Sequence, residues 1–405
     1  MHPGFRRAFN AAFTDDLYRR QAETLAARAG ATAGFRLAET PVFLTEDLER
    51  QLVATAEEIV AELSDPVKTA AMRAHVPAAW DAPGMEALPE VAQVDLAVVA
   101  DASGRLVPRL IELQGFPSLS AFEVLQSDVW SECLEGIPGL PPGPWSPYFS
   151  GLTRERFLDL FRRTIVGRHD PERVVLLDLH PAAQKTQVDF AATKRLLGVD
   201  AVDPRELVKE GRRLFRTKDG RRVPVERIYN RVVFDELIRE NVVTPFDYRE
   251  PLDVTWVPHP NWYWTWSKAS IPFLSHPAVP KATSLADLAE LPADLRERYV
   301  LKPLFSFAGG GVNVEPSRAD VEGIPASERA AWCLQEKISY APCLEAADGG
   351  GVKVEIRMRF YRPEGESRLT LGLNLCRLSR GKMLGVDFNK DFTWVGSSVA
   401  IRPAG

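Results

Sequence analysis

The sequence predicts an α/β protein with separate α+β lobes, and three observations carry that expectation. Strand-length and helix-length segments alternate from residue 174, and a hairpin of two apolar strands spans 93–113. A strand at 299–303 delivers Lys302 into a loop with three successive glycines, Gly309, Gly310 and Gly311. At 405 residues the chain exceeds the roughly 100–200 residues of a usual domain, so several lobes with a cleft between them are expected.

Residues 1–90 read as mainly helical. Leu48, Leu52, Val53, Ala56, Ile59, Val60 and Leu63 recur at helical spacing over 46–63 with acidic residues opposite, the pattern of a helix with one packed face. Segment 91–145 carries the hairpin, in which 93–99 and 106–113 flank an Asp-Ala-Ser-Gly turn at 101–104. Proline and glycine then crowd residues 136–144, which suits a joint between lobes. Segment 146–260 is expected to form a small parallel α/β lobe: a strand at 174–179, a helix ending at Gly198, a short apolar strand, and another helix from about Pro204. Asp219-Gly220 signals a tight turn and 228–233 a further strand. Segment 261–405 combines a helix near 267–274, the lysine strand, an apolar strand at 332–338 and β segments through 401.

Net charge of −5 argues against a general nucleic-acid binder, which needs a basic stripe. Cys133, Cys333, Cys343 and Cys376 form no Cys-x-x-Cys pair and suit a reducing compartment. No apolar signal-peptide core follows the arginines of residues 1–30, and no run approaches the roughly 18–20 apolar residues of a membrane span. A cytoplasmic protein with no membrane partner is expected; the sequence sets no oligomeric state.

Lys302 and Gly309–Gly311 suit a polyphosphate grip, with an ammonium on phosphate oxygens and backbone N–H groups closing over them; they equally fit a glycine-rich turn beside a surface lysine. Glu112 and Gln114 lie two apart on a strand and share a face, with Asp95 on the partnering strand. That set can offer a hard cation such as Mg²⁺ its few oxygen ligands, or it can be a solvated hairpin face. Asp387 and Asn389 form a competing pair at the same spacing, or a turn. Backbone groups of Gln335, Glu336, Lys337 and Ile338 can read an adenine edge at the end of an apolar strand, which is otherwise ordinary core.

Glu355, Arg357 and Arg359 alternate on one strand, with Arg377 and Arg380 on the next; such arginines clamp phosphate or carboxylate, or merely solubilise. The aromatic run Trp262-Tyr263-Trp264 with Trp266, just before Lys268, reads as packing core or as a cleft wall. Walker, His-Glu-x-x-His and Gly-x-Ser-x-Gly motifs are all lacking from the sequence.

Taken in order, Val-Asp-Leu-Ala-Val at 94–98, the turn at 101–104, Leu-Ile-Glu-Leu-Gln-Gly-Phe-Pro-Ser-Leu at 110–119, and then the lysine strand and glycine loop resemble the circularly permuted branch of the ATP-grasp superfamily, typified by the synthetase domain of glutathionylspermidine synthase. The resemblance covers roughly residues 90–400 and rests on the metal strands coming before the lysine strand. It implies ATP and Mg²⁺ as cofactors, Asp95, Glu112 and Gln114 as metal ligands, and Lys302 and Lys268 as nucleotide lysines. Gly309–Gly311 would be the lid and Gln335–Ile338 the adenine hinge. Arg357 and Arg377 would steady the transferred phosphoryl group, and Arg231 or Arg357 would hold a substrate carboxylate.

The activity implied is a carboxylate–amine ligase acting on small molecules through an acyl phosphate and releasing ADP and phosphate. Gln114 stands where the family has asparagine, and Phe116 and Ser118 depart from the acidic and threonine positions nearby, which leaves glutathione and polyamine substrates open. No amidase-like cysteine segment is seen at the N-terminus, so synthetase chemistry alone is expected. A nucleotide-binding protein without ligation, a phosphotransferase, and a carbohydrate or peptide binder built on the tryptophans are the alternatives.

Overall fold

The structure, a computed structural model, describes all residues except His75, 306–310, 382–388 and Gly405. The amphipathic helix forms as Glu46–Leu63, opened by Thr45, whose Oγ1 accepts from the Leu48 amide at 3.3 Å. Glu46, Asp47 and Glu49 in its first turn complement the positive end of the helix dipole. Its apolar stripe, Leu48, Leu52, Ala56, Ile59 and Leu63, is buried in the main core and packs on the Leu106–Gln114 strand. The N-terminal region is not helical throughout, because Val42–Phe43 adds a parallel strand beside Ala400–Pro403 and ties the two ends of the chain together.

The hairpin strands Val91–Ala100 and Leu106–Gln114 form one edge of an antiparallel sheet. Gly351–Tyr361, Thr370–Ser379 and Gly396–Ser398 continue it in that order, so segments more than 250 positions apart pair as direct neighbours. Alternation places Val94, Leu96, Ile356 and Met358 in the main apolar core, while Gln93, Asp95, Arg357 and Arg359 share the opposite face.

A second sheet is parallel throughout, in the order Thr255–Val257, Arg227–Asn230, Val174–Leu177, Asp200–Val202, with helix Gln187–Leu197 crossing over and ending at Gly198 with φ +78°. The helix expected from Pro204 does not form. Only a 3₁₀ turn, Pro204–Glu206, is present, followed by the antiparallel strands Val208–Glu210, Arg213–Lys218 and Arg221–Val225. Period-two burial of Leu214 and Arg216, then of Val223 and Val225, favours strands there over a helix stripe. Asp219 and Gly220 take φ of +49° and +71°, the left-handed pair that a two-residue hairpin needs.

A third, three-stranded antiparallel sheet sets Trp332–Glu336 between Ala282–Ser284 and the lysine strand Tyr299–Pro303. The helix expected at 267–274 is a 3₁₀ segment, Lys268–Phe273, which contains Pro272 and its missing N–H. Among the described residues no helix is long and apolar enough to cross a membrane.

Asp178, just beyond the Val174–Leu177 strand, illustrates the cost of burial. Burial pushes its carboxyl up to about 7 against the opposing charge of Arg231. Its unfolded value is 3.8, so between there and about 7 the folded chain holds a proton that the unfolded chain has lost, and stability falls as pH rises through that window. Asp178→Asn keeps an acceptor for the Leu179 amide and is expected to remove this fall, gaining about 4 kcal/mol at about pH 8. Urea unfolding at about pH 5 and about pH 8 checks it; equal pH slopes in variant and wild type would refute it.

Candidate functional site

The polar face of the central sheet meets the lysine sheet and the aromatic turn Trp262–Thr265 at the carboxyl end of the Leu106–Gln114 strand. That junction depends on a glycine. The Gly115 amide donates to the Trp266 carbonyl at 2.6 Å, and a Cβ at Gly115 would lie 2.1 Å from the Trp262 carbonyl oxygen. Two backbones thus come closer than any side chain allows. Gly115→Ala is expected to cost about 3 kcal/mol in urea unfolding, and an unchanged midpoint would show that the turn yields freely.

Trp262 and Trp266 belong to the main core, and Tyr263 and Trp264 to the core of the parallel-sheet lobe, so the aromatic run is packing that bridges the two. Its function is positional: it carries buried Lys268 to 3.5 Å from Glu112. The Lys302 ammonium reaches the same corner and donates to the Ile111 carbonyl at 3.4 Å. Burial lowers the affinity of Lys302 for its proton, and Glu112 opposes that only in part. Glu112, Gln114, Phe116, Tyr263, Lys268 and Phe305 line a cavity of about 20 Å³ there.

Asp95 pairs in register with Glu112 on one side and Arg357 on the other. Its two oxygens are nevertheless spent on arginine. Arg357 Nε and Nη2 donate to Oδ1 and Oδ2 at 2.6 and 2.7 Å, and Arg377 Nη2 donates to Oδ2 at 2.6 Å. Arg357 Nη1 also donates to Ser118 Oγ at 2.8 Å, and Arg377 also meets Glu355. Burial alone would push the Asp95 carboxyl up; the two guanidiniums outweigh it and hold it below the usual range. Glu355, enclosed beside Arg377 and within 3.2 Å of the Tyr340 hydroxyl, is pushed up by burial.

The three expected metal ligands therefore share a face and divide their allegiance: Asp95 to arginines, Glu112 to Lys268, Gln114 to Gln93, whose Nε2 donates to Gln114 Oε1 at 3.2 Å. Among the described residues no group of three or more His, Cys, Asp or Glu side chains is arranged to hold a metal. Glu112 with Gln114 suits a magnesium ion carried mostly by water and phosphate oxygens. Asp95 does not, while its arginines hold it.

Other expected residues are spread more widely. Gly309, Gly310 and Asp387 lie outside the described residues, whereas Gly311 turns with φ +71° after them. Asn389 is buried, its Oδ1 accepting from Ser379 Oγ and from the Arg380 and Gly381 amides, which makes it a turn anchor. The Glu336 and Lys337 amides donate to Lys281 and Arg298 carbonyls, so these two are already engaged, while Gln335 is buried with its Oε1 unpartnered and Ile338 follows the strand. Arg231 sits apart from the lysines in a buried ion pair, 2.7 Å from Asp189 Oδ2, and Arg380 is bidentate on Asp348. Sequence reading named Ser118 only as a departure from the family pattern and did not single out Gln93; Ser118 meets Arg357 from 239 positions away, whereas Gln93 bonds within its own hairpin. Arg359, noted only for sharing a face with Arg357, proves to be completely enclosed.

No protein-family model matches the chain, and no curated protein matches it by sequence. Solved structures do match. A glutathione synthetase-like effector from Globodera pallida, in apo form, aligns with a TM-score of 0.53 at 11% sequence identity, over 91% of this chain and 95% of that one. The chain therefore has a mixed α/β fold similar to that of a glutathione synthetase-like protein.

Proposed function

We propose that the chain is an ATP-dependent carboxylate–amine ligase of circularly permuted ATP-grasp architecture, working in the cytoplasm on small-molecule acid and amine substrates. The observation that carries this reading is the convergence of Lys302, Lys268 and Glu112 at the corner between the lysine sheet and the polar face of the central sheet. Likeness of fold to a glutathione synthetase-like protein supports it.

In this reading Lys302 and Lys268 draw charge from the nucleotide phosphates while the acid's carboxylate attacks the γ-phosphorus, forming an acyl phosphate and ADP. An amine then displaces phosphate. Mg²⁺, when bound through Glu112 and Gln114, neutralises phosphate charge. Arg377, whose side chain is 35% exposed, is the cluster arginine that would meet the transferred group in this reading. Arg357 positions it by sharing Asp95. A cavity of about 20 Å³ admits a water and no nucleotide, so entry of ATP requires the lysine sheet to part from the central sheet.

The test is product analysis. ADP and phosphate that form only with both an acid and an amine are expected; AMP and pyrophosphate would overturn the mechanism. The commitment of Asp95 to two arginines and of Gln114 to Gln93 favours a second reading, a nucleotide-binding protein without ligation. Mg-ATP binding in calorimetry without turnover on any acid–amine pair would select it.

A further inference from the structure

Arg359 is fully enclosed, and its Nε, Nη1 and Nη2 have no hydrogen-bond partner. A guanidinium carries five N–H donors, and burying it without an acceptor is among the costliest arrangements in a protein interior. The nearby carboxylates and the tyrosine hydroxyl are engaged elsewhere, and the free acceptor in register is a neutral amide oxygen. Asp95 is held by Arg357 and Arg377. Tyr361, whose hydroxyl feels the guanidinium without meeting it in hydrogen-bond geometry, donates to Ser120 Oγ at 2.9 Å. Glu123 accepts from Ser397, and burial pushes its carboxyl well up against the opposing charge of Arg359, with which it makes no hydrogen bond. Gln93, opposite Arg359 in register, leaves its own buried Oε1 unpartnered.

We propose that Arg359 is the anchor of a buried oxyanion site that takes a small carboxylate, beneath the first turn of helix Ser120–Cys133. The positive N-terminal end of that helix, whose Phe122 amide donates to Asp189 Oδ1 at 3.0 Å, would favour an anion beside the guanidinium. Arg359 and Glu112 are separated by two strand spacings and two residues of rise, about 12 Å from the usual sheet dimensions. On the ligase reading, on which this last point rests, an acid that spans that distance is held at Arg359 by one carboxylate and presents its other end to Lys302.

The experiment is thermal melting without nucleotide, so that it stands apart from ligase activity, using wild type, Arg359→Met and Arg359→Lys with sodium glutarate, inorganic phosphate or chloride at matched ionic strength. Glutarate at tenfold excess over its Kd is expected to raise the wild-type Tm by about 2 °C, with no rise from chloride. Arg359→Met is expected to melt at or above wild type without ligand, since it removes an uncompensated charge, and to lose the glutarate shift. Arg359→Lys, without the planar fork, is expected to fold and show a weakened shift. A wild-type shift with phosphate and none with glutarate would overturn the carboxylate assignment. An Arg359→Met protein that melts lower than wild type and keeps the glutarate shift would make Arg359 structural, and a wild type that no anion stabilises would remove the site.

Discussion

Asp95→Ala is expected to destabilise the protein by about 3 kcal/mol, because it leaves Arg357 enclosed without its carboxylate and leaves the partly exposed Arg377 with Glu355 alone. Asp95 has no exposed surface, so solvent cannot replace the lost partner. The effect should be pH-dependent in wild type as well. With its folded pKa held below the unfolded 3.8, the carboxylate contributes stability above that value, and this is lost as pH falls through the lowered one. Asp95→Leu combined with Arg357→Met should recover part of the loss, since a shape-matched apolar pair removes the unpaired charge. Urea unfolding measures all of these. An Asp95→Ala protein as stable as wild type would release Asp95 from its ion-pair role and return it to the metal.

On the proposed ligase reading, Lys302→Met is expected to lower nucleotide-dependent turnover by about 10²–10³-fold while leaving the fold about as stable, because it removes a poorly paired, half-buried ammonium. The same burial predicts the alkaline limb of activity. Lys302 sheds its proton below the ordinary 10.5, so on the proposed ligase reading phosphate binding would weaken as pH rises through that lowered value, even as the fold gains stability there. Lys302→Arg should flatten the limb, since guanidinium stays charged. Rates from about pH 7 to about pH 10 decide it; an alkaline limb that survives in Lys302→Arg belongs to another group.

Local chemistry made much of this chain legible. The helix over 46–63 follows from its apolar stripe and Thr45 cap, and the 219–220 turn from Asp-Gly. Pairing of the two hairpin strands follows from their short turn. The segment after Pro204 misled because its first residues suit a helix start, whereas the buried positions that decide its structure alternate farther on, from Leu214.

The sequence by itself determined that Asp95, Glu112 and Gln114 lie near one another, because strand alternation and a four-residue turn at 101–104 fix faces and register over short distances. It also determined that Lys302 ends a strand beside glycines. Only the tertiary structure decided what these groups touch. Arg357 meets Asp95 across 262 positions of chain, and Lys268 reaches Glu112 because Gly115 lets the tryptophan turn dock there. Periodicity tells which way a side chain points within its own strand and says nothing of which distant strand pairs beside it. Long-range sheet pairing made that choice, and with it whether each carboxylate faces a cation or stays available to a ligand.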